Sequence, residues 1–200
     1  MRHAVLGLGW PPYGARWSLS VLAAFVRTVD RLNDVVGRAT AWLTLAMVVI
    51  TFVVVILRYV FSIGFVWMQE SYVWLHGIVF MVGAGYTLLH GGHVRVDIIY
   101  REAGPWYKAW VDLCGGLALL MPVIVMIWFV AWPYVLSSWS RFEESREAGG
   151  LPGLFLLKTI ILVFCVVVGL QGLSLAARSI LVLTRNKEFV DDADEGASEA

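Results

Sequence analysis

Four long stretches without a formal charge constrain this chain more than any other feature. Each runs for 19 residues or more without Asp, Glu, Lys or Arg. They are residues 39–57, 71–89, 113–140 and 159–177. A helix of about 20 apolar residues crosses the roughly 30 Å hydrocarbon core of a bilayer, and spanning backbone must satisfy its own hydrogen bonds. The sequence therefore predicts an all-α integral membrane protein with four transmembrane helices.

The predicted transmembrane domain covers residues 39–185. Its spans are expected at about 39–60, 71–90, 110–137 and 154–178. The composition agrees, because 60% of the 200 residues are hydrophobic and 15% are charged, whereas soluble domains carry about 25% charged residues. Residues 1–17 begin with a basic residue but meet Pro11 and Pro12 before any apolar run, which predicts a tail rather than a cleaved signal peptide.

The distribution of Lys and Arg predicts the orientation, because cytoplasmic loops carry an excess of these residues. Nine of them flank the spans on the side of the two termini, and four flank the spans on the other side. Both termini and the loop at 90–110 are therefore predicted to be cytoplasmic. The loops at 58–71 and 138–155 would face the opposite side, and the acidic segment 186–200 would be a disordered tail.

Residues 18–38, ahead of the first span, have helical periodicity. Their apolar stripe consists of Leu22, Phe25, Val26, Val29, Leu32 and Val36. Their charged residues Arg27, Asp30, Arg31, Asp34 and Arg38 occupy the rest of the helix surface. This pattern predicts an amphipathic helix that lies in the membrane interface or packs its stripe against a partner's helix; a solvated extension is the alternative.

Polar groups inside the predicted spans are few. They are Thr44, Thr51, His76, Thr87, Gln171 and Ser174. An ion-coupled carrier normally places ionisable groups or broken helices near the membrane midplane, and no span here has a central carboxylate, Lys or Arg. No nucleophile sits beside a general base, and no basic patch suggests nucleic acid. The sequence therefore predicts neither an enzyme nor a nucleic-acid partner, and its span glycines favour close helix packing.

Histidines raise the question of a haem or metal cofactor. His76 and His90 both fall on the second helix, and the other helices offer no histidine to complete a haem pair. His90 and His93, even with Asp97, lack a cysteine or a third positioned ligand. We therefore predict no cofactor and no metal.

The connection between the first two spans carries one charge at each edge. Arg58 ends the first span and Glu70 begins the second on the same side of the membrane. Because a short loop places adjacent helices side by side, we predict an ion pair between them; alternatively, each side chain reaches water or phosphate separately. Tyr59 and Trp67 would anchor this corner at the headgroup level. Trp106 and Trp110 would do the same across the membrane.

Three motifs carry a resemblance to a known family. They are RYVF at 58–61, WMQE at 67–70 and HGGHVRVDII at 90–99. Together with the four-span layout, they resemble the small permease subunit (DctQ type) of tripartite ATP-independent periplasmic (TRAP) transporters over roughly residues 25–185. One departure is that the family's usual acidic pair reads Gln69-Glu70 here, which leaves a single carboxylate.

The resemblance implies a non-catalytic subunit in the bacterial inner membrane that serves sodium-driven uptake of organic acids. Its implied partners are a large elevator-type permease subunit, for which it would be scaffold and anchor, a periplasmic substrate-binding protein, and membrane lipids. His93 and Asp97 would cap a cytoplasmic helix end or contact the partner; a purely local structural role is the alternative. Two other classes stay open from the residues themselves: a stand-alone small transporter or channel, and a redox membrane-anchor subunit.

Overall fold

The structure, a computed structural model, describes residues 13–92 and 104–184. The regular secondary structure of these residues is helical. The helices in that part are α1 (Tyr13–Tyr59), α2 (Val66–Leu89), α3 (Pro105–Gly115), α4 (Met121–Ser140) and α5 (Leu154–Leu183). A π-helical segment, Gly116–Leu120, joins α3 to α4, so that the two form one rod, the third span. Four helical units are long and apolar enough to cross a membrane, which confirms the predicted all-α, four-span fold class.

The first helix is longer than a membrane requires. Its 47 residues extend about 70 Å at 1.5 Å per residue, whereas the hydrocarbon core is about 30 Å thick. The predicted amphipathic segment 18–38 is helical and continues directly into the first span. Within this segment, Ala23 and Val26 belong to one buried apolar cluster with Ala177 and Leu181 of α5. The N-terminal extension is therefore packed as part of the bundle.

The buried face of this extension includes much of the predicted apolar stripe. Val26 and Val29 of the stripe are buried, and Leu22 and Phe25 pack against the same cluster. The buried face also takes in the small or polar residues Ala23, Asn33 and Thr40, whereas Leu32 of the stripe is 49% exposed. Small and polar residues on this face allow α1 to lie close to its neighbours.

The fifth helix, α5, occupies the centre of the bundle. In the apolar 18-residue stretch of α5, 44% of the residues are buried. The corresponding fractions are 6% for α1, 6% for α2 and 11% for the third span. It contacts α1, α2 and both halves of the third span. The peripheral helices therefore surround α5 and expose apolar surface outwards.

The π-helical segment of the third span ends two residues before Pro122. Proline has no N–H to donate to the carbonyl four residues earlier, and a wider turn is one way in which a helix accommodates that loss. The neighbouring helix comes close at this point, because a Cβ on Gly172 would lie 2.7 Å from Leu120 Cδ2. Gly172 thus has the predicted packing role, whereas Gly83 and Gly115 have open space beside them.

The bundle has two ends, which position the polar groups described next. The hairpin end carries the α1–α2 connection, residues 60–65, and the α4–α5 connection, residues 141–153. The terminus end carries the C-terminus of α2, the start of α3 and the last turns of α5.

Candidate functional site

The predicted ion pair between Arg58 and Glu70 is wrong. Both residues lie at the hairpin end, but Glu70 directs its carboxylate to the α4–α5 connection. Its Oε2 accepts a hydrogen bond from the Leu151 backbone N–H at 2.6 Å, and its Oε1 accepts one from the Ser145 hydroxyl. Arg58 is exposed in the last turn of α1. Ser145 and Leu151 of the α4–α5 connection therefore bind the carboxylate in place of Arg58, because Glu70 lies where α2 meets that connection.

The α4–α5 connection is folded closely around the Glu70 carboxylate. The Ser145 backbone N–H donates to the Leu151 carbonyl at 3.3 Å, and the Gly150 N–H donates to the Glu147 carbonyl at 3.0 Å. A Cβ on Gly150 would lie 2.7 Å from Glu70 Oε2 and 2.5 Å from Ser145 Oγ. Only glycine lets the backbone come this near to the carboxylate. Glu70 thus joins the start of α2 to the α4–α5 connection.

Replacing Glu70 by Ala is expected to loosen residues 145–151. A net hydrogen bond to a charged group contributes about 1.5–3 kcal/mol, so amide hydrogen exchange at Leu151 should accelerate about tenfold or more. Glu144→Ala, at an exposed position of the same connection, is the matched control and should leave this exchange unchanged. Equal acceleration in Arg58→Ala would contradict the assignment and restore the pairing predicted from sequence.

A second polar cluster at the hairpin end joins α4, the connection and α5. Lys158 Nζ forms an ion pair with Glu143 Oε2, which also accepts a hydrogen bond from Ser138 Oγ at 2.8 Å. The ammonium lies 4.2 Å from the centroid of the Tyr134 ring, a distance at which cation–π attraction operates. The hydrogen bonds from Lys158 and Ser138 hold the pKa of the Glu143 carboxyl below its ordinary value of 4.5.

This lowered pKa predicts the sign of one pH effect. A carboxyl group whose pKa is lower in the folded chain stabilises it above the unfolded pKa, and the stabilisation is lost as pH falls through the folded pKa. We therefore expect the thermal unfolding midpoint in detergent to fall more steeply below pH 4.5 in the native chain than in Glu143→Gln. Glu144→Gln should keep the native slope. Identical acid slopes in all three proteins would count against the cluster.

At the terminus end, a buried network joins α1 to α5. Asp30 Oδ1 accepts hydrogen bonds from Gln171 Nε2 at 2.9 Å and from Ser174 Oγ at 2.8 Å. Its Oδ2 pairs with Arg178 at 2.8 Å. Asn33, one turn further along α1, donates from Nδ2 to Gln171 Oε1 at 2.7 Å. Asn33, Gln171 and Ser174 are all at least 97% buried. These five residues are called the terminus network below.

The polarity of the terminus network follows from its one carboxylate. Because Asp30 accepts only, the amide of Gln171 must turn its NH₂ towards Asp30 and its oxygen towards Asn33. Asn33 must then donate, which leaves its own Oδ1 pointing away. That oxygen is buried without a hydrogen-bond partner among the described residues, and it lies beside Gly85 of α2. The methylene of a glycine can cover such an oxygen through a weak C–H···O contact.

Sequence reasoning identified part of this network. Gln171 and Ser174 stood out as polar residues inside a span, but Asp30 was expected on the solvated side of an amphipathic helix. A signal was present: small or polar residues at 23, 30, 33, 37 and 40 fall, together with Val26, at the alternating three- and four-residue spacing of a packed helix face.

The remaining predicted residues lie apart from these clusters. Tyr59 and Trp67 are 78% and 48% exposed at the hairpin end. Trp106 and Trp110 are exposed at the start of the third span, with ring centroids 6.1 Å apart in an edge-to-face arrangement. His93 and Asp97 lie outside the described residues.

The described residues place few polar side chains in the middle of the bundle. His76, near the centre of α2, stacks on Phe80 at 6.5 Å between centroids, and neither ring nitrogen hydrogen-bonds to a described residue. Within residues 13–92 and 104–184, no three His, Cys, Asp or Glu side chains converge as a metal site would need. The charged groups therefore act at the two ends of the bundle, where they join its helices.

Comparison with protein families matches residues 47–182 to the one described as "Tripartite ATP-independent periplasmic transporters, DctQ component". This is more than half of the chain, and it includes α2, the third span and nearly all of α5. Neither the curated proteins nor the solved structures give a match. The matched region contains Glu70 and the α5 half of the terminus network, and it begins after Asp30 and Asn33.

Proposed function

This chain belongs to the DctQ family, a membrane component of tripartite ATP-independent periplasmic transporters, and from that premise we propose that it anchors a large permease subunit in the bilayer. It is a small, multi-pass subunit of such a transporter in the bacterial inner membrane. In our proposal the large subunit carries substrate and sodium, a periplasmic protein delivers an organic acid, and this chain is a stationary scaffold. Its termini would face the cytoplasm and its hairpin end the periplasm.

The observation that carries the proposal is where four charged side chains of the described residues are bonded. Asp30, Glu70, Glu143 and Lys158 all bond within the chain, at one end of the bundle or the other. Each of these contacts joins separate helices or connections. A transport pathway instead needs polar groups that face a substrate near the midplane. Bonds of this kind make a rigid bundle, which is what a stationary support requires.

The exposed surface supports the same role. Apolar side chains cover the outer faces of α1, α2 and the third span, and α5 is the most enclosed of the described helices. Surfaces of this kind suit lipid and the helices of a membrane partner.

The test is to purify the tagged chain from its native membrane in mild detergent and to identify what accompanies it by mass spectrometry. We expect a multi-span permease in a fixed stoichiometry. Proteoliposomes holding both subunits should take up an organic acid only with a sodium gradient and the binding protein, and liposomes holding this chain alone should not. Recovery of the chain alone, as an ion-conducting or coloured species, would overturn the scaffold proposal.

A further inference from the structure

A cavity at the hairpin end is lined by α2, α4, α5 and the α4–α5 connection. It encloses about 610 Å³, a size typical of sites for small ligands. Val73 on α2 and Tyr134 on α4 line it and are 56% and 52% exposed. The cavity is therefore open on the outer surface of the bundle, where lipid or a neighbouring protein would meet it.

The charged residues of this cavity lie at its end towards the α4–α5 connection. Glu143 and Arg146 belong to the connection, and Lys158 lies four residues after the start of α5. Lys158 is paired with Glu143, whereas the Arg146 side chain is exposed and has no ion pair or hydrogen bond with a described residue. Glu144 and Glu147 of the same connection do not line the cavity. One lining cation is thus left to attract an anion at the mouth of the cavity.

The apolar part of the cavity runs deeper along the helices. Glu70, which bonds to Ser145 of the connection, marks the level of the mouth on α2. The lining residues of α2 follow it, from Val73 to Met81. These eight residue steps correspond to about 12 Å at 1.5 Å per residue, which is close to one leaflet, about half of a core about 30 Å thick. Aliphatic residues of α5, among them Ile161, line the cavity as well.

His76 lies between the charged mouth and the apolar depth. It lines the cavity six residues after Glu70, which corresponds to about 9 Å along the helix. Its ring stacks on Phe80 but makes no hydrogen bond to a described residue. A neutral imidazole always carries one N–H donor, and leaving it unsatisfied in a membrane is costly. The cavity therefore suits a ligand that has an acceptor at this depth.

We propose that this cavity binds a glycerophospholipid of the leaflet at the hairpin end. Its phosphate lies at Arg146, an ester carbonyl accepts a hydrogen bond from His76, and an acyl chain lies along the aliphatic walls. A glycerophospholipid carries an anion, acceptors and hydrocarbon in that order. A free phosphate or a small organic acid would match Arg146 but leave the apolar walls in contact with water. The inference rests on the membrane location of the chain and not on the scaffold role.

The first test is native mass spectrometry of the full-length chain in mild detergent, titrated with dioleoylphosphatidylglycerol. We expect one tightly bound lipid per chain, and Arg146→Gln should weaken its binding about tenfold, because charge-assisted hydrogen bonds to the phosphate are lost. Arg58→Gln removes the same charge at an exposed position of the hairpin end that does not line the cavity, and it should bind like the native chain. Thermal unfolding in lipid-free detergent checks that both variants fold. Equal affinity of the native chain and Arg146→Gln, or no bound lipid, would overturn the inference.

The second test concerns the donor below the mouth. His76→Leu is expected to weaken binding of the same lipid about threefold, the effect of losing one neutral hydrogen bond. His76→Gln keeps a donor and should retain most of the affinity. Unchanged affinity in His76→Leu would overturn the assignment of the ester carbonyl to this residue.

The choice of probe separates a phospholipid from other occupants. Dioleoylglycerol, which lacks the phosphate, should bind about tenfold more weakly or worse, and inorganic phosphate should not displace the phospholipid. Displacement by inorganic phosphate would identify a simple anion site and overturn the inference. If the chain purified with a permease holds no phospholipid, whereas the isolated chain binds one, a protein segment fills the cavity and the inference fails. The scaffold function is judged separately, because its test measures recovery of the permease and not of lipid.

Discussion

Asp30→Ala is expected to lower the free energy of unfolding by about 3 kcal/mol, a large part of the roughly 5–15 kcal/mol that stabilises a typical domain. The substitution removes the acceptor of three hydrogen bonds, from Gln171, Ser174 and Arg178. Gln171 and Ser174 are buried, so their donors would lose their acceptor away from water, which costs about 1–3 kcal/mol for each group. Arg178 contributes less to the loss, because its side chain is 43% exposed and can bind water instead. Thermal and denaturant unfolding in detergent measure the effect.

The chain supplies a matched control one helical turn away. Asp34 also forms an ion pair, at 2.7 Å with Arg38 four residues on, but the Arg38 side chain is 75% exposed. Its second contact, with His90 Nε2 on α2, is at 4.0 Å, and that histidine is 49% exposed. Such pairs contribute about 0.3–0.5 kcal/mol, so Asp34→Ala is expected to change stability by no more than about 0.5 kcal/mol. Asp30→Asn should fall between the two, because an amide oxygen can still accept from Ser174 or Gln171. Equal effects of Asp30→Ala and Asp34→Ala would show that the terminus network contributes little.

The contrast between these two aspartates explains what sequence could and could not reveal. Uncharged stretches long enough to cross a bilayer predicted the spans, because lipid tolerates few alternatives to an uncharged helix. The same reasoning treats every charge outside a span as solvated. Asp30 is an exception, because it is bonded to Gln171 and Ser174, which lie 141 and 144 residues away along the chain. The charge pattern around Asp30 does not predict these distant partners.

The hairpin end shows a related limit. Proximity along the chain correctly suggested that Glu70 is bonded, but it suggested the wrong partner, Arg58. A carboxylate bonds to whichever donors the fold places near it. The backbone N–H of Leu151 belongs to the α4–α5 connection, which is far along the chain from the α1–α2 loop. Gly150 was the available clue, since its missing side chain makes room for that approach.

The α1 extension is bonded to the rest of the bundle, although the family match does not cover it. The family match begins at residue 47, yet α1 reaches back to Tyr13 and is joined to α5 through Asp30 and Asn33. Because Asp30 and Asn33 bond the extension to α5, the central helix, we expect the segment 18–38 to contribute to the stability of the bundle.

Gly85→Ala is the second substitution with a large expected effect, because it acts where three helices meet around the terminus network. A Cβ at position 85 would lie within 3.0 Å of both Val167 Cγ1 on α5 and Asn33 Oδ1 on α1. Neither atom can yield easily: Val is stiff at χ1, and Asn33 is held by Gln171. Overpacking of this kind typically costs about 1–3 kcal/mol, and α2 would have to move away from both neighbours.

The control for Gly85→Ala is two residues away on the same helix. A Cβ on Gly83 would meet nothing within 4 Å, so Gly83→Ala is expected to be neutral or to stabilise by up to about 1 kcal/mol through helix propensity. Thermal unfolding of the two variants in the same detergent distinguishes a general glycine effect from the specific contact. If both substitutions stabilise the protein, α2 does not approach Asn33 this closely. If only Gly85→Ala destabilises, and Asn33→Ala in the same chain relieves much of the loss, the clash lies between these two residues, and glycine at 85 is what allows α1, α2 and α5 to close around a buried amide.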